Sequence, residues 1–271
     1  MKILFILMFF TVVFSLSASM RVISLAPSIT ETISFIGADN MLVGVSQNCV
    51  YPESATQLPK VGGYSGIDYE KIIRLKPDIV IGIPAIHGVS HKLSSLGIRY
   101  EEIKQDSIDD IYRSVIKIGR LLKRNNAAKN ALLNLKKDIM NEKISSLGKS
   151  KKSVLIVIGN LPGELRNIYI ASNKSFLGEL IQLAGYENAY SGSIKYPNIT
   201  AEQVINMKPN IILILNASKI LSKKQKDAII KPWLKIKKYF SVKIEVLNGD
   251  FVYIPSPRFI NTLRLIKKTL N

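Results

Sequence analysis

The stretch IDYEKIIRLKPDIVI at 67–81 returns 132 positions later as ITAEQVINMKPNIIL at 199–213. Six of the fifteen aligned positions are identical: Ile67, Glu70, Ile73, Lys76, Pro77 and Ile79 against Ile199, Glu202, Ile205, Lys208, Pro209 and Ile211. Most of the others exchange like for like, so the two halves of the chain are built on one plan. In each copy a polar residue, Asp68 or Thr200, stands at the N-cap position of a short helical pattern. Tyr69, Ile72 and Ile73 fall on one helix face, as do Ala201, Val204 and Ile205, with Glu70 and Glu202 on the other. The Lys-Pro pair then ends the helix, because the residue before proline is kept out of the α region. The unbroken apolar runs that follow, DIVIG and NIILIL, suit parallel strands buried on both faces.

A second echo precedes the first. ETISFIGADN at 31–40 matches ELIQLAGYEN at 179–188 in Glu, Ile, Gly and Asn, each a helix ending at a glycine in the C′ position. Upstream lie the β-rich runs RVISLAP and KSVLIVIG. The order strand, helix, helix, strand thus occurs twice, which predicts an α/β protein of two similar lobes. Between them the sequence is helical in pattern, with Ser107 as N-cap and Asp110 three residues on. The pattern predicts one helix near 107–124 and a longer one near 126–147 that ends at Gly148. A long helix joining two lobes makes a stiff hinge that permits only modest opening and closing. The domains expected are a signal peptide over 1–19, an N-terminal lobe over 20–124, a connecting helix over 125–150 and a C-terminal lobe over 151–271.

The chain opens MKILFILMFFTVVFSLSAS, with Lys2, an apolar run and then small residues. The run is short for a membrane span, and Ser17 and Ser19 supply a small-x-small cleavage pattern after Ser19. Export is expected. Cys49 is the only cysteine, so no internal disulfide can form, and it lies too far from the cleavage site to carry a lipid. An exported, unlipidated protein fits the periplasm. Net charge is +18, with basic residues crowded into KKQKDAIIKPWLKIKKYFSVK at 223–243. Nucleic acid, an anionic ligand or membrane, and a solvated lysine face compete to explain it. No nucleic-acid-binding signature accompanies the charge, which sets nucleic acid aside and leaves a solvated lysine face as the simplest reading.

The landmarks RVISLAPSITE, VGVSQNCVYP, VGGYSGIDYEKIIRLKPDIVI, ITAEQVINMKP and SPR at 256–258, taken in order, carry a resemblance. Over essentially its whole mature length the chain resembles the helical-backbone class of substrate-binding proteins that serve ABC importers, a group that binds cobalamin, ferric siderophores and haem. The resemblance is strongest to its cobalamin-binding members. It implies two Rossmann-like lobes joined by a single long backbone helix, the class III periplasmic binding protein fold. It also implies a monomer that hands its ligand to a permease homodimer with ATPase subunits, with no catalysis and no resident cofactor. The ligand implied is cobalamin or a related corrinoid, with ferric siderophore or haem as alternatives.

Carried over residue by residue, the resemblance places exposed permease-docking glutamates at Glu70 and Glu202, the acid shared by both repeats. A homodimeric permease offers the same surface twice, and a carboxylate meets arginine with two charge-assisted bonds. An acid in a first helical turn is also favoured by the macrodipole alone. The family's ligand contacts fall on Tyr64, Tyr196, Asp250 and Phe251. The aromatics suit the face and edge of a macrocycle, and the carboxylate suits a ligand amide. Loop anchoring by the tyrosines and a turn at Gly249-Asp250 are the plainer readings. Three positions depart from the cobalamin-binding pattern: Asn48 replaces a tyrosine, Ile83 a tryptophan and Ile254 an arginine. Ser256-Pro257 reads as an N-cap followed by proline at the first helical position.

His87 and His91, the only histidines, follow the first repeat's strand as HGVSH. On a helix they would share a face able to hold a metal or haem iron, but a metal site normally takes three or four protein ligands. Two loop histidines are the simpler reading. An enzyme reading finds no nucleophile elbow, phosphate-binding loop, dinucleotide fingerprint or zinc-protease motif. An adhesive surface protein would have no use for duplicated docking faces.

Overall fold

A computed structural model describes residues 19–64, 66–84, 86–145 and 152–270. The expected signal peptide, apart from Ser19, lies outside these residues, as does Gly148. Among the described residues no helix is long and apolar enough to cross a membrane.

The first half runs β1 (Val22–Ser24), α1 (Pro27–Phe35), β2 (Leu42–Val45), α2 (Glu53–Thr56), β3 (Gly62–Gly63), β4 (Gly66–Ile67), α3 (Tyr69–Arg74), β5 (Ile79–Gly82), α4 (Val89–Ser95) and β6 (Tyr100–Glu102). Helices α5 (Ile108–Leu121) and α6 (Asn125–Ile144) follow. The second half runs β7 (Ser153–Gly159), β8 (Ile168–Ala171), α7 (Phe176–Leu183), β9 (Glu187–Asn188), β10 (Asn198–Ile199), α8 (Ala201–Met207), β11 (Ile211–Asn216) and α9 (Lys223–Ile230). A 3-10 helix (Lys231–Lys238), β12 (Lys243–Asn248) and α10 (Phe259–Leu270) complete it. The first sheet has strand order β2-β1-β5-β6 and is parallel throughout, with β3 and β4 forming a separate hairpin. The second has order β10-β8-β7-β11-β12, with β9 beside the start of β7. Its β7, β11 and β12 are parallel, while β8 runs antiparallel to β7 and β10 antiparallel to β8.

The repeat supplies equivalent parts of the two lobes. Asp68 accepts the Lys71 N–H at 2.8 Å, and Thr200 forms a full capping box with Gln203. Lys76 and Lys208, each before its proline, escape the right-handed region by taking left-handed backbone at φ 44° and 47°. The next side chains fix the register: Asp78 accepts the N–H of Arg21 at 2.7 Å, and Asn210 accepts that of Ser153 at 2.8 Å. Each repeat thereby pins its own strand, β5 or β11, against the first strand of its lobe. Those strands are buried as their apolar runs predict. One position departs from expectation. Ile73 is 47% exposed, because α3 turns only Ile72 fully inward.

Inner and outer cores alternate along the strands, as a period of two requires. Val154 and Ile156 of β7, with Ile211 and Leu213 of β11, join a core that continues through α5, α6, α1, α7 and α10 to Val22 and Ile79 of the first sheet. Leu155, Val157, Ile212 and Ile214 face a second cluster under Trp233 and Ile236, and Ile23 and Val80 face a third with Ile72 and Leu93. Helix α6 has 20 residues, so it is about 30 Å long. It buries Ala128, Leu132, Leu135 and Ile139 in the shared core, so it packs against both lobes as well as joining them. It crosses α5 closely at Gly119, where an added Cβ would lie 2.4 Å from that of Ala128.

Candidate ligand cleft

In open α/β sheets, loops at the carboxyl ends of parallel strands form the binding crevice. Here those loops enclose a cavity of about 270 Å³. Leu25 follows β1, Ser46, Gln47 and Asn48 follow β2, Ile83 and Ile86 follow β5, and Tyr64 comes from the β3–β4 hairpin. Among the described residues no charged side chain lines it. The hairpin is tight for a definite reason. Gly62 has φ +88°, and a Cβ there would meet the Gly66 carbonyl oxygen at 2.1 Å. That backbone holds Tyr64 outward at the cavity rim, 77% exposed. Asn48 is also exposed and Ile83 half-buried, so three expected ligand positions lie on one cavity.

The others lie elsewhere around the junction of the lobes. Tyr196 is 44% exposed. Burial of its ring, then the Asp106 and Glu179 carboxylates, push its phenol pKa up. Its neighbour Lys195 pairs with Asp106 of the first half at 3.1 Å. Asp250 and Phe251, just past β12, are half-buried and already engaged. The Asp250 carboxylate lies 3.5 Å from the Arg258 guanidinium, whose carbon sits 5.3 Å from the centre of the Phe251 ring. Asp250 is therefore a partner for Arg258 before it is a free acceptor for a ligand. Ile254 is half-buried, and the adjacent Tyr253 hydroxyl donates to the Leu215 carbonyl at 2.6 Å. Burial pushes the Tyr253 phenol up to about 12, so it stays a donor.

Arg258 is the residue that sequence reasoning missed. It bonds Glu31 of α1 at 2.5 Å and stacks 4.0 Å from the centre of the Tyr51 ring. The Ser256 hydroxyl also donates to Glu31 and accepts the Arg258 N–H at 3.2 Å. Ser256-Pro257 is thus not the helix opening expected of it. Helix α10 begins at Phe259, and SPR is a bridge between lobes. The second echo aligns Glu31 with Glu179, but nothing local to either position names its partner. Glu179 likewise crosses the junction, accepting the Ile108 N–H at the start of α5 at 2.7 Å.

Glu70 and Glu202 are exposed in the first turns of α3 and α8, and neither has an ion-pair partner among the described residues. His87 and His91 are exposed, one before α4 and one within it, and neither lines the cavity. No group of three or more His, Cys, Asp or Glu among the described residues is placed to hold a metal ion. Cys49 is buried with its sulfur 3.1 Å from both the Thr30 and Ser46 hydroxyls.

Known proteins share this fold. A vitamin B12-binding protein of Yersinia pestis (strain Pestoides F) is 28% identical over 248 residues, covering 90% of this chain and 83% of its own. The crystal structure of the periplasmic vitamin B12 binding protein of Vibrio cholerae superposes with a TM-score of 0.75 at 23% identity, covering 92% of this chain and 95% of that one. A periplasmic heme binding protein from Pseudomonas aeruginosa gives 0.79 at 22% identity, covering 92% of each chain. Two α/β lobes, one sheet parallel and the other mixed about a parallel centre, and a long connecting helix make up the class III fold. The model of the periplasmic binding protein family matches residues 22–231, and the chain belongs to that family.

Proposed function

We propose that this protein captures cobalamin or a related corrinoid between its lobes and delivers it to an ABC permease homodimer with its ATPase subunits. The observation that carries the ligand is the cavity rim. It presents the Gln47 and Asn48 amides, the Tyr64 ring and aliphatic Leu25, Ile83 and Ile86, with no charge among them. A corrinoid has an apolar macrocycle fringed with neutral amides, which such a surface matches by stacking and hydrogen bonding. Haem propionates or an anionic siderophore call for cations at the rim. The named B12-binding relative supports the same choice. Tyr196 and the Asp250–Phe251 pair complete the cleft from the second lobe in this reading.

Docking is through Glu70 and Glu202, one from each lobe, with the ligand held between 20–124 and 151–271 and residues 125–150 as the backbone. The protein works as an exported, unlipidated monomer, binds no nucleic acid, and has no catalytic role. Calorimetric titration with cyanocobalamin tests the ligand. Micromolar or tighter binding supports it. No heat with cyanocobalamin, together with a Soret band on haemin addition or binding of a ferric siderophore, would replace the corrinoid by that ligand.

A further inference from the structure

The lysine-rich segment near the C-terminus is not absorbed by ligand capture. From Lys219 to Lys243 the chain has nine lysines against one acid, Asp227. Helix α9 carries no buried residue, and the 3-10 helix after it is fixed by buried Pro232 and by Trp233 and Ile236, the last two entering the outer core of the second sheet. Those inward anchors turn Lys235, Lys237 and Lys238 to solvent, beside exposed Lys231 and the lysines that open α9. None of the lysines from 219 to 238 has a carboxylate within ion-pair distance among the described residues.

Apolar side chains stand among them. Ile220 is 81% exposed, Tyr239 65% and Leu234 47%. Singly, exposed apolar side chains are ordinary on a protein surface; here three large ones share one short segment with the lysines. Lysines around aliphatic and aromatic side chains are the composition of a segment that lies on an anionic bilayer. The ammonium groups meet lipid phosphates, their stems lie along the acyl boundary, and apolar tips enter it. We propose that this face, α9 and the 3-10 helix with Ile220, Leu234 and Tyr239, is a docking surface for the anionic phospholipid headgroups of a membrane leaflet. Charge complementarity selects that occupant: seven exposed lysines, without ion-pair partners among the described residues, face a surface that is uniformly negative. Such contact would hold an unlipidated protein near a membrane without an anchor.

Sedimentation with vesicles tests the surface. On vesicles of roughly one-third phosphatidylglycerol, retention at low salt should exceed that on pure phosphatidylcholine by at least ~tenfold and fall as salt screens the charges. Lys235→Glu with Lys237→Glu and Lys238→Glu should abolish the difference. Leu234→Ser with Tyr239→Ser should weaken retention while preserving its salt dependence. Lys129→Glu with Lys137→Glu and Lys143→Glu on exposed positions of α6 makes the same charge change elsewhere and should leave most of the retention. Equal retention on both vesicle types, or equal loss in the α6 variant, overturns the proposal in favour of no lipid preference or bulk charge alone. Circular dichroism shows whether each variant is folded.

Discussion

Glu31 and Arg258, which are 227 residues apart in sequence, meet at 2.5 Å across the lobe junction with side chains only 2% and 12% exposed. The Glu31 carboxyl has its pKa raised by burial, against the opposing pull of Arg258 and Ser256. Its aligned counterpart Glu179 crosses the same junction in the other direction. The pseudo-repeat therefore places one glutamate per lobe where it holds the other lobe.

Removing one partner of such a pair strands the other charge in a buried place. Arg258→Ala should destabilise the fold by about 3–5 kcal/mol in urea denaturation at neutral pH. Glu31→Gln combined with Arg258→Met should recover most of that loss, since neither buried charge is left alone. The sign with pH follows from the raised folded value: stability associated with Glu31 protonation is present below the unfolded pKa and lost as pH rises through the folded one. The deficit of Arg258→Ala should accordingly shrink on acidification. A deficit under 1 kcal/mol, or one that grows in acid, would show that the pair does not hold the lobes.

Glu142 has the opposite linkage. On α6 it bonds Lys267 and Arg264 of α10 at 3.0 Å each, and the Lys267 bond, more than any other influence, lowers its pKa. A depressed folded pKa gives stability that is present above the unfolded value, about 4.3, and lost as pH falls through the folded one. Glu142→Gln should cost about 1–2 kcal/mol at pH 7, given a partly exposed charged network. The gap from the parent protein should close in acid. Thermal midpoints measured across that range check it, and a gap independent of pH would assign the loss to packing.

The fold was legible in the sequence because duplication exposes which features matter. Glu70, Lys76-Pro77 and the apolar run recur with Glu202, Lys208-Pro209 and theirs, and both copies form a capped helix feeding a buried parallel strand. The antiparallel β8 was not legible, since IYIA at 168–171 has no counterpart in the first half and is too short to declare its direction. Asn48, Tyr64 and Ile83 converge on one cavity because each follows or adjoins a strand end, a local property. The Glu31–Ser256–Arg258 bridge depends on how two lobes meet, and no local pattern encodes that. Position 73 failed for a similar reason: a six-residue helix is too short for its apolar stripe to be wholly covered.

Tyr64 offers a clean test of the cavity. Its side chain is 77% exposed on a hairpin fixed by glycine backbone, so Tyr64→Ala should leave the thermal midpoint nearly unchanged. In the proposed complex the ring stacks on the corrin, so its loss should weaken cyanocobalamin binding by roughly tenfold, the equivalent of about 1.4 kcal/mol. Tyr64→Phe should retain most of the affinity if stacking is the contribution. Calorimetry on the three proteins decides it, and unchanged affinity in Tyr64→Ala would move the ligand away from this cavity.

The proposed docking uses two carboxylates for which the described residues offer no ion-pair partner. Glu70 and Glu202 occupy equivalent first-turn positions on α3 and α8, exposed and without ion-pair partners among the described residues. A macrodipole role alone is worth about 0.3–1 kcal/mol each, so Glu70→Gln with Glu202→Gln should shift stability only slightly. The same substitutions remove both acceptors for bidentate arginine contacts, and complex formation with the permease should fall by at least about a hundredfold. Cyanocobalamin affinity should stay unchanged, because neither residue lines the cavity. Each single variant should retain partial binding if, as proposed, a homodimeric permease engages the two lobes through separate copies of one surface. Pull-down of the detergent-solubilised permease, read alongside calorimetry, separates the outcomes: full complex formation by the double variant removes these glutamates from docking, whereas loss of both readouts assigns them to folding.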